Sequence, residues 1–422
     1  MKKILRLAFV CFLAGMTVNA AGQISLKEKL KNKANQMMEN ALKKDNSQQN
    51  KQEQQQQTKQ EEQPQQQAQE QNSNVAKPSE AEPQTELQSY SKYDFIPGSK
   101  VIFYEDFSQD AIGDFPALWN TNGSGEIVTT NLFPGKWLRF ESDASVWTDQ
   151  LLDLPENYTI ELDIIPIPGE NGAIRSQSYT LMLYQCINVK AFDYGSRPGK
   201  AAFSFWLNYG TPSYDTYINL PGGENMGLSG NKEGDSYNEK PNQKYHIAIW
   251  IQKARVRLYQ EQNKLFDLPK AFNVEGVKMD RIRFDGGAFM VSNIRVAVGA
   301  PDTRNKLLTE GKLVTYGIYF DVNKDIVKPE SYGTLKDIAT VLSENPDVRV
   351  KIVGYTDSDG ADAANLDLSK RRAASVKDEL AKTFNIDASR METDGMGEAS
   401  PVAPNDTPVN KALNRRVEFI KL

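Results

Sequence analysis

Glu161 and Asp163 come nearest, by type and spacing, to a hydrolytic pair. Glycoside cleavage commonly uses one protonated carboxyl and one carboxylate acting as base or nucleophile. Two positions apart on a strand, these side chains share a face and could meet one sugar. Ile165 takes the next place on that face, and no third acid follows. Carboxylates on a solvent-facing strand are commonplace, so surface charge is the first reading and catalysis the second. His246 is the only histidine. In the alternating run Tyr245–Trp250 it shares a face with Ala248 and Trp250, which reads as a packed imidazole satisfied by a hydrogen bond. One histidine and so few cysteines speak against an ordinary zinc site. Calcium held by loop oxygens stays open as an alternative, which the residues around Asp143 and Asp215 do not establish. No cofactor is called for, no nucleophile stands beside a base, and the chain reads as a non-enzyme.

The elements that would position these groups fall into several segments. The chain has 422 residues and a formal charge of -5, which speaks against nucleic acid as a partner. Residues 1–20 read as a secretory signal: Lys2, Lys3 and Arg6 precede the apolar run Leu7–Met16, and Ala20 offers a small residue for cleavage. Cys11 follows Val10, not the small residue that lipidation requires. Removing the signal leaves Cys186 as the only cysteine, so no internal disulfide can form. Residues 21–47 form a short amphipathic helix in this reading, with Ile24, Leu26, Leu30, Ala34, Met37, Met38, Ala41 and Leu42 on one stripe. It could pair as a coiled coil, touch a membrane surface or stand alone. Residues 48–94 are a Gln/Pro-rich linker, with fourteen glutamines between 48 and 71. Such a composition cannot repay the entropy of folding and reads as disordered.

Residues 95–300 alternate apolar and polar positions in short runs. Tyr158–Ile165, Tyr179–Tyr184, Ala202–Tyr209, Tyr245–Gln252, Ala254–Gln260, Lys278–Phe284 and Ala288–Val298 are the clear strands. Many strands and no convincing helix point to an all-β, jelly-roll-like sandwich of two half-buried sheets. A transmembrane barrel is the weaker alternative. Its lipid face would carry no charge, whereas Arg255 and Arg257 share one strand face and Arg281 and Arg283 another. The pair of strands from Tyr245, then Phe284-Asp285-Gly286-Gly287 before a strand ending Asn293-Ile294-Arg295-Val296, resembles concanavalin-like or laminin-G-like sandwiches. That resemblance implies a glycan-binding fold by analogy alone.

After a linker at 301–311 the pattern becomes mixed. Val314–Phe320, Val348–Val353 and residues 415–421 read as strands. Pro329–Ser343 and Leu366–Thr383 read as helices, with apolar stripes Leu335, Ile338, Ala339, Leu342 and Leu368, Ala373, Val376, Leu380. The expectation for 312–422 is a small α/β domain in the order β-α-β-α-β. Ordered motifs run through it: Phe320-Asp321-Val322-Asn323, Gly354-Tyr355-Thr356-Asp357, Asn365, Leu368-Ser369-Lys370-Arg371-Arg372-Ala373, Gly395-Met396-Gly397-Glu398 and Asn414-Arg415-Arg416-Val417-Glu418. This stretch resembles the OmpA-like C-terminal domain, the periplasmic peptidoglycan-binding module. The resemblance implies that Asp357 and Arg372 hold diaminopimelate of the stem peptide. Their chemistry suits that ligand: a carboxylate accepts from its ammonium, and a guanidinium fork clasps its carboxylate. The resemblance further implies that Thr356 and Asn365 orient the ligand or loop, that Asp321 and Asn323 line the groove, and that Leu368 walls the stem. Arg416 would meet a second carboxylate and Arg415 would face solvent. Tyr355 stands where the family has histidine. The bland alternative is an Asp357–Arg372 ion pair with no ligand.

The function expected is a non-catalytic anchor in the periplasm, associated with the outer membrane. It would bind peptidoglycan and carry a sandwich that engages a glycan or another envelope protein or acts as a spacer. No transmembrane segment is expected after the signal, since no later run approaches the roughly 18 apolar residues of a spanning helix. The alternatives are a wall-anchored glycan-active enzyme, and a scaffold of a surface or secretion apparatus.

Overall fold

The computed structural model describes residues 93–140, 143–167, 179–188, 195–207, 211–219, 227–232, 239–272, 276–286, 289–299 and 302–422. The expected signal at 1–20, the helix at 21–47 and the linker at 48–94, except for residues 93 and 94, lie outside them.

Fifteen described strands come first: β1 (Lys100–Glu105), β2 (Trp119–Thr121), β3 (Gly125–Thr129), β4 (Lys136–Phe140), β5 (Ser145–Thr148), β6 (Asn157–Pro166), β7 (Tyr179–Gln185), β8 (Ala201–Leu207), β9 (Ser213–Ile218), β10 (Ser229–Asn231), β11 (Tyr245–Gln252), β12 (Arg255–Gln260), β13 (Asn263–Leu268), β14 (Arg281–Asp285) and β15 (Phe289–Val298). One sheet runs β13-β12-β11-β6-β15-β4-β3, with β1 also on β15, and the other runs β10-β9-β8-β7-β14-β5-β2. All their pairings are antiparallel. Period-two alternation sends Ile160, Leu162, Ile249 and Val291 from one sheet, and Leu181, Phe203 and Phe284 from the other, into one shared core.

The outer faces are not the solvated surfaces that alternation predicts. On β6, Glu161 is 1% and Asp163 5% exposed, so this strand is covered on both sides. Arg281 and Arg283, expected on one face of their strand, are buried as well, and Arg283 Nε meets Asp285 at 2.6 Å.

The cover on β6 comes from the C-terminal part of the chain, which belongs to the same compact unit. There α1 (Thr303–Leu308) begins on Asp302, whose side chain accepts from the Asn305 amide. Next come β16 (Lys312–Thr315), a 3-10 turn at Pro329–Ser331, α2 (Tyr332–Glu344), β17 (Val350–Gly354), α3 (Asp362–Phe384), β18 (Met391–Gly395), α4 (Pro408–Asn414) and β19 (Val417–Lys421). The sheet order is β16-β19-β17-β18, with β17 and β18 parallel. Leu335, Ile338, Ala339 and Leu342 of α2 and Ala373, Val376 and Leu380 of α3 pack on Val350, Ile352 and Phe419. Among the described residues no helix is long and apolar enough to cross a membrane.

Three expectations need correction. The order is not β-α-β-α-β, because β18 intervenes between α3 and the last strand. Its sequence, Met391-Glu392-Thr393-Asp394-Gly395, buries only its two ends and gives no alternating signal. The segment 301–311 is not a plain linker: α1 lies in it and Leu307 is fully buried in the C-terminal core. The strand expected over Val314–Phe320 stops at Thr315, and the chain then turns so that Tyr319 reaches the sandwich.

Residues 93–98 run along the seam between the two parts. Tyr93 and Phe95 pack with Ala248, Tyr259 and Trp250 on the sandwich and with Tyr332 at the start of α2. The seam leaves no room at Gly333, where a Cβ would stand 1.8 Å from the Phe95 carbonyl oxygen.

Candidate functional site

The predicted site lies where β17 and β18 end against α3. A Cβ at Gly354 would fall 2.3 Å from the Ser369 carbonyl oxygen, so the helix rests on bare backbone there. The loop after β17 carries Tyr355, Thr356 and Asp357. The Thr356 amide donates to the Gly397 carbonyl at 2.9 Å, and its hydroxyl is buried without a hydrogen-bond partner among the described residues. Asn365, in the first turn of α3, ties the loop down. Its Nδ2 donates to the carbonyls of Asp357 (3.4 Å) and Asp359 (3.2 Å) and to Glu398 Oε2 (2.7 Å). Glu398 closes the Gly-x-Gly-Glu motif, the signal by which it could have been chosen as a site residue.

Asp357 and Arg372 are not an ion pair. Asp357 Oδ1 accepts from the Asp359 amide at 3.2 Å, and Oδ2 accepts from Arg415 Nη1 at 2.6 Å. Arg372 lies 4.8 Å from the centre of the Phe320 ring, and it donates through Nε to the Lys324 carbonyl (2.9 Å) and through Nη2 to the Asp321 carbonyl (3.2 Å). Its Nη1 makes no hydrogen bond among the described residues. Burial, and then the charge of Arg415, push the Arg372 guanidinium down to about 10, while Asp357 pulls the other way. Arg372 and Asp357 therefore lie within electrostatic reach of each other without touching. Asp321 and Asn323, both exposed, form the turn that presents those carbonyls, with Asn323 at φ 58°. Leu368 is buried on α3.

Neither of the two adjacent arginines stands where it was expected. Arg416 is 5% exposed and satisfied internally: Nε donates to Glu418 Oε1 at 2.9 Å, and Nη2 to the Ser400 carbonyl at 3.0 Å. Its guanidinium stacks 3.6 Å from the Tyr355 ring centre, and Tyr355 in turn donates to Glu418 Oε2 at 3.1 Å. Tyr355 and Arg416 thus brace β19 inside the domain. Arg415, expected in solvent, is the residue that reaches Asp357.

The Glu161–Asp163 pair has neither of the properties that hydrolysis needs. Both carboxylates are enclosed at the seam. Glu161 takes Arg295 Nη1 at 2.5 Å and the Tyr319 hydroxyl of the C-terminal part, and His246 Nε2 stands 3.5 Å away. Asp163 meets His246 Nδ1 (3.0 Å), Lys244 Nζ (3.2 Å) and Asn293 Nδ2 (2.9 Å). Burial opposes ionisation of both, but Arg295 for Glu161, and His246 and Lys244 for Asp163, outweigh it and hold both carboxyls below their usual range. Neither is the raised acid of a hydrolytic pair. His246 is packed and hydrogen-bonded. Burial disfavours its charge, yet Asp163 and Glu161 raise it to about 10, so both ring nitrogens carry protons. Among the described residues no three His, Cys, Asp or Glu side chains are grouped to hold a metal.

Residues 319–415 match the model of the OmpA family. Outer membrane porin F of Pseudomonas fluorescens is 45% identical over 105 residues, 25% of this chain and 32% of that one. The probable lipoprotein YiaD of Escherichia coli is 46% identical over 102 residues, covering 24% and 46%. The peptidoglycan-binding protein ArfA of Mycobacterium tuberculosis is 40% identical over 92 residues, covering 22% and 28%. The chain thus spans less than half the length of each of these relatives. Among solved structures, the peptidoglycan-associated lipoprotein of Burkholderia pseudomallei is 27% identical with a TM-score of 0.25, over 29% of this chain and all of that one.

Proposed function

Proceeding from the OmpA family domain at residues 319–415, we propose that this is a non-catalytic envelope protein that binds peptidoglycan. Its place is the periplasm, in association with the outer membrane. The ligand is the diaminopimelate of the stem peptide, whose ammonium meets Asp357 and whose carboxylate meets Arg372. The observation that carries this reading is that Asp357, on the loop after β17, and Arg372, on the helix that Asn365 ties to that loop, carry opposite charges and make no ion pair with each other, the arrangement a zwitterion would complete. With Nε and one N–H of Nη2 committed to carbonyls, Arg372 keeps Nη1 and the second N–H of Nη2 for a carboxylate. Asn365 and Thr356 hold the loop, and the turn of Asp321 and Asn323 supplies one wall.

The sandwich serves as a docked spacer. The outer face of β6 is taken up by the C-terminal domain. On the other sheet Trp147, Tyr184 and Tyr217 are each no more than 2% exposed, and among the described aromatics of that outer face Trp206 on β8 is half-buried.

Asp357→Ala and Arg372→Ala test the reading in pull-downs with purified sacculi and in titrations with a diaminopimelate tripeptide. Each should cost about 2 kcal/mol or more, roughly thirtyfold in Kd. Wild-type retention by both variants would refute the clasp.

A further inference from the structure

Arg415 follows α4 and is held from two sides. Its guanidinium lies 5.2 Å from the centre of the Tyr104 ring on β1, while Nη1 holds Asp357 at 2.6 Å. Tyr104 is itself anchored. Its hydroxyl donates to Asn293 Oδ1 at 3.3 Å, and Asn293 Nδ2 donates to Asp163 at 2.9 Å. Asn293 sits at φ 55°, within the register shift of β15 between Ser292 and Arg295, a bulge that re-aims its side chain. Asp163, Asn293, Tyr104, Arg415 and Asp357 therefore form one chain of contacts from the seam to the candidate wall site.

We propose that Tyr104 of the sandwich is a positioning residue for the wall-binding site, acting through Arg415. The inference rests on the reading of Asp357 as the ammonium acceptor. With the Asp359 amide on Oδ1 and Arg415 on Oδ2, the carboxylate plane is fixed, and each oxygen keeps a lone pair for an incoming ammonium. Without an aromatic face beneath it, Arg415 gains rotamers, Asp357 loses its partner, and the ammonium meets a carboxylate that must first be ordered. The sandwich thus completes a site that the OmpA family domain houses.

The test uses the full chain and a soluble diaminopimelate tripeptide. Tyr104→Leu keeps apolar bulk but removes the π face, and a stacked cation of this kind is worth about a fivefold change in affinity. Tyr104→Leu should therefore bind about fivefold more weakly, and Tyr104→Phe, which keeps the face but loses the Asn293 anchor, should fall between it and the wild type. In an Arg415→Ala background the Tyr104→Leu loss should vanish, because its only route to the ligand is gone. A Tyr104→Leu protein with wild-type affinity, or one whose loss persists without Arg415, overturns the proposal. Asp357→Ala separates the two levels. If it abolishes binding while Tyr104→Leu does nothing, only the positioning role fails. If Asp357→Ala binds normally, the wall-site reading fails and takes this inference with it.

Discussion

Tyr319 and Glu161 belong to different parts of the chain, and a double-mutant cycle between them measures whether the seam is closed. The Tyr319 hydroxyl donates to Glu161 Oε2, and Glu161 is 1% exposed. Tyr319→Phe removes one hydrogen bond to a charged group, a loss of about 1.5–3 kcal/mol. Glu161→Gln removes the countercharge of buried Arg295 and leaves His246 with one acid fewer, a loss of about 3–5 kcal/mol. The amide of glutamine also directs an N–H toward groups that are themselves donors, so the loss should fall in that range and not below it. If the two residues touch across the seam, Tyr319→Phe does little further harm once Glu161→Gln has been made. The expected coupling is about 1.5 kcal/mol or more, against the roughly 0.5 kcal/mol scatter of independent sites. Urea unfolding of the four proteins at pH 7, read by tryptophan fluorescence and far-UV circular dichroism, supplies the numbers. Coupling within the scatter would mean that the domains do not meet through this pair, and the account of the seam would fall with it.

Two further outcomes follow from the same region. Gly333→Ala places a methyl where the Phe95 carbonyl lies 1.8 Å away, so residues 93–98 must lift. Limited proteolysis should then cut within that segment at protease levels that spare the wild type, and unchanged resistance would contradict the packing described. The proton on His246 predicts the sign of a pH effect. Its pKa is raised from about 6.5 in the unfolded chain to about 10 in the folded protein, so its contribution is complete below pH 6.5 and is lost as pH rises through 10. Stability should fall by about 1 kcal/mol per pH unit within that window, and His246→Gln should flatten the slope. An equal slope in the variant would assign the effect to other groups.

Much of this was legible in the sequence. Alternation along Tyr158–Ile165 and Tyr245–Gln252 marked the residues that fill the core, and the two helical stripes of the C-terminal domain are buried as their spacing required. Alternation has no means of saying what lies against the other face. Glu161 and Asp163 looked like surface acids because their partners, Arg295, His246, Lys244 and Tyr319, come from positions 81 to 158 residues away. Arg415 and Arg416 show the same limit at close range. Neighbours on an extended backbone point in opposite directions, and only the fold reveals which one reaches Asp357. Short elements escaped for lack of signal: α1 has six residues, and the apolar ends of β18 enclose three polar positions.

The charges on the outer face of β6 also bear on how the chain matures. Glu161, Asp163, His246 and Arg295 are synthesised well before Tyr319 exists to cover them. An apolar platform in that position would lie bare throughout synthesis and invite association with other unfinished chains. A face of paired acids and bases can wait in water at little cost. It then accepts a surface that supplies a matching hydroxyl, as Tyr319 does, so the late-made domain is selected by chemistry as well as by shape.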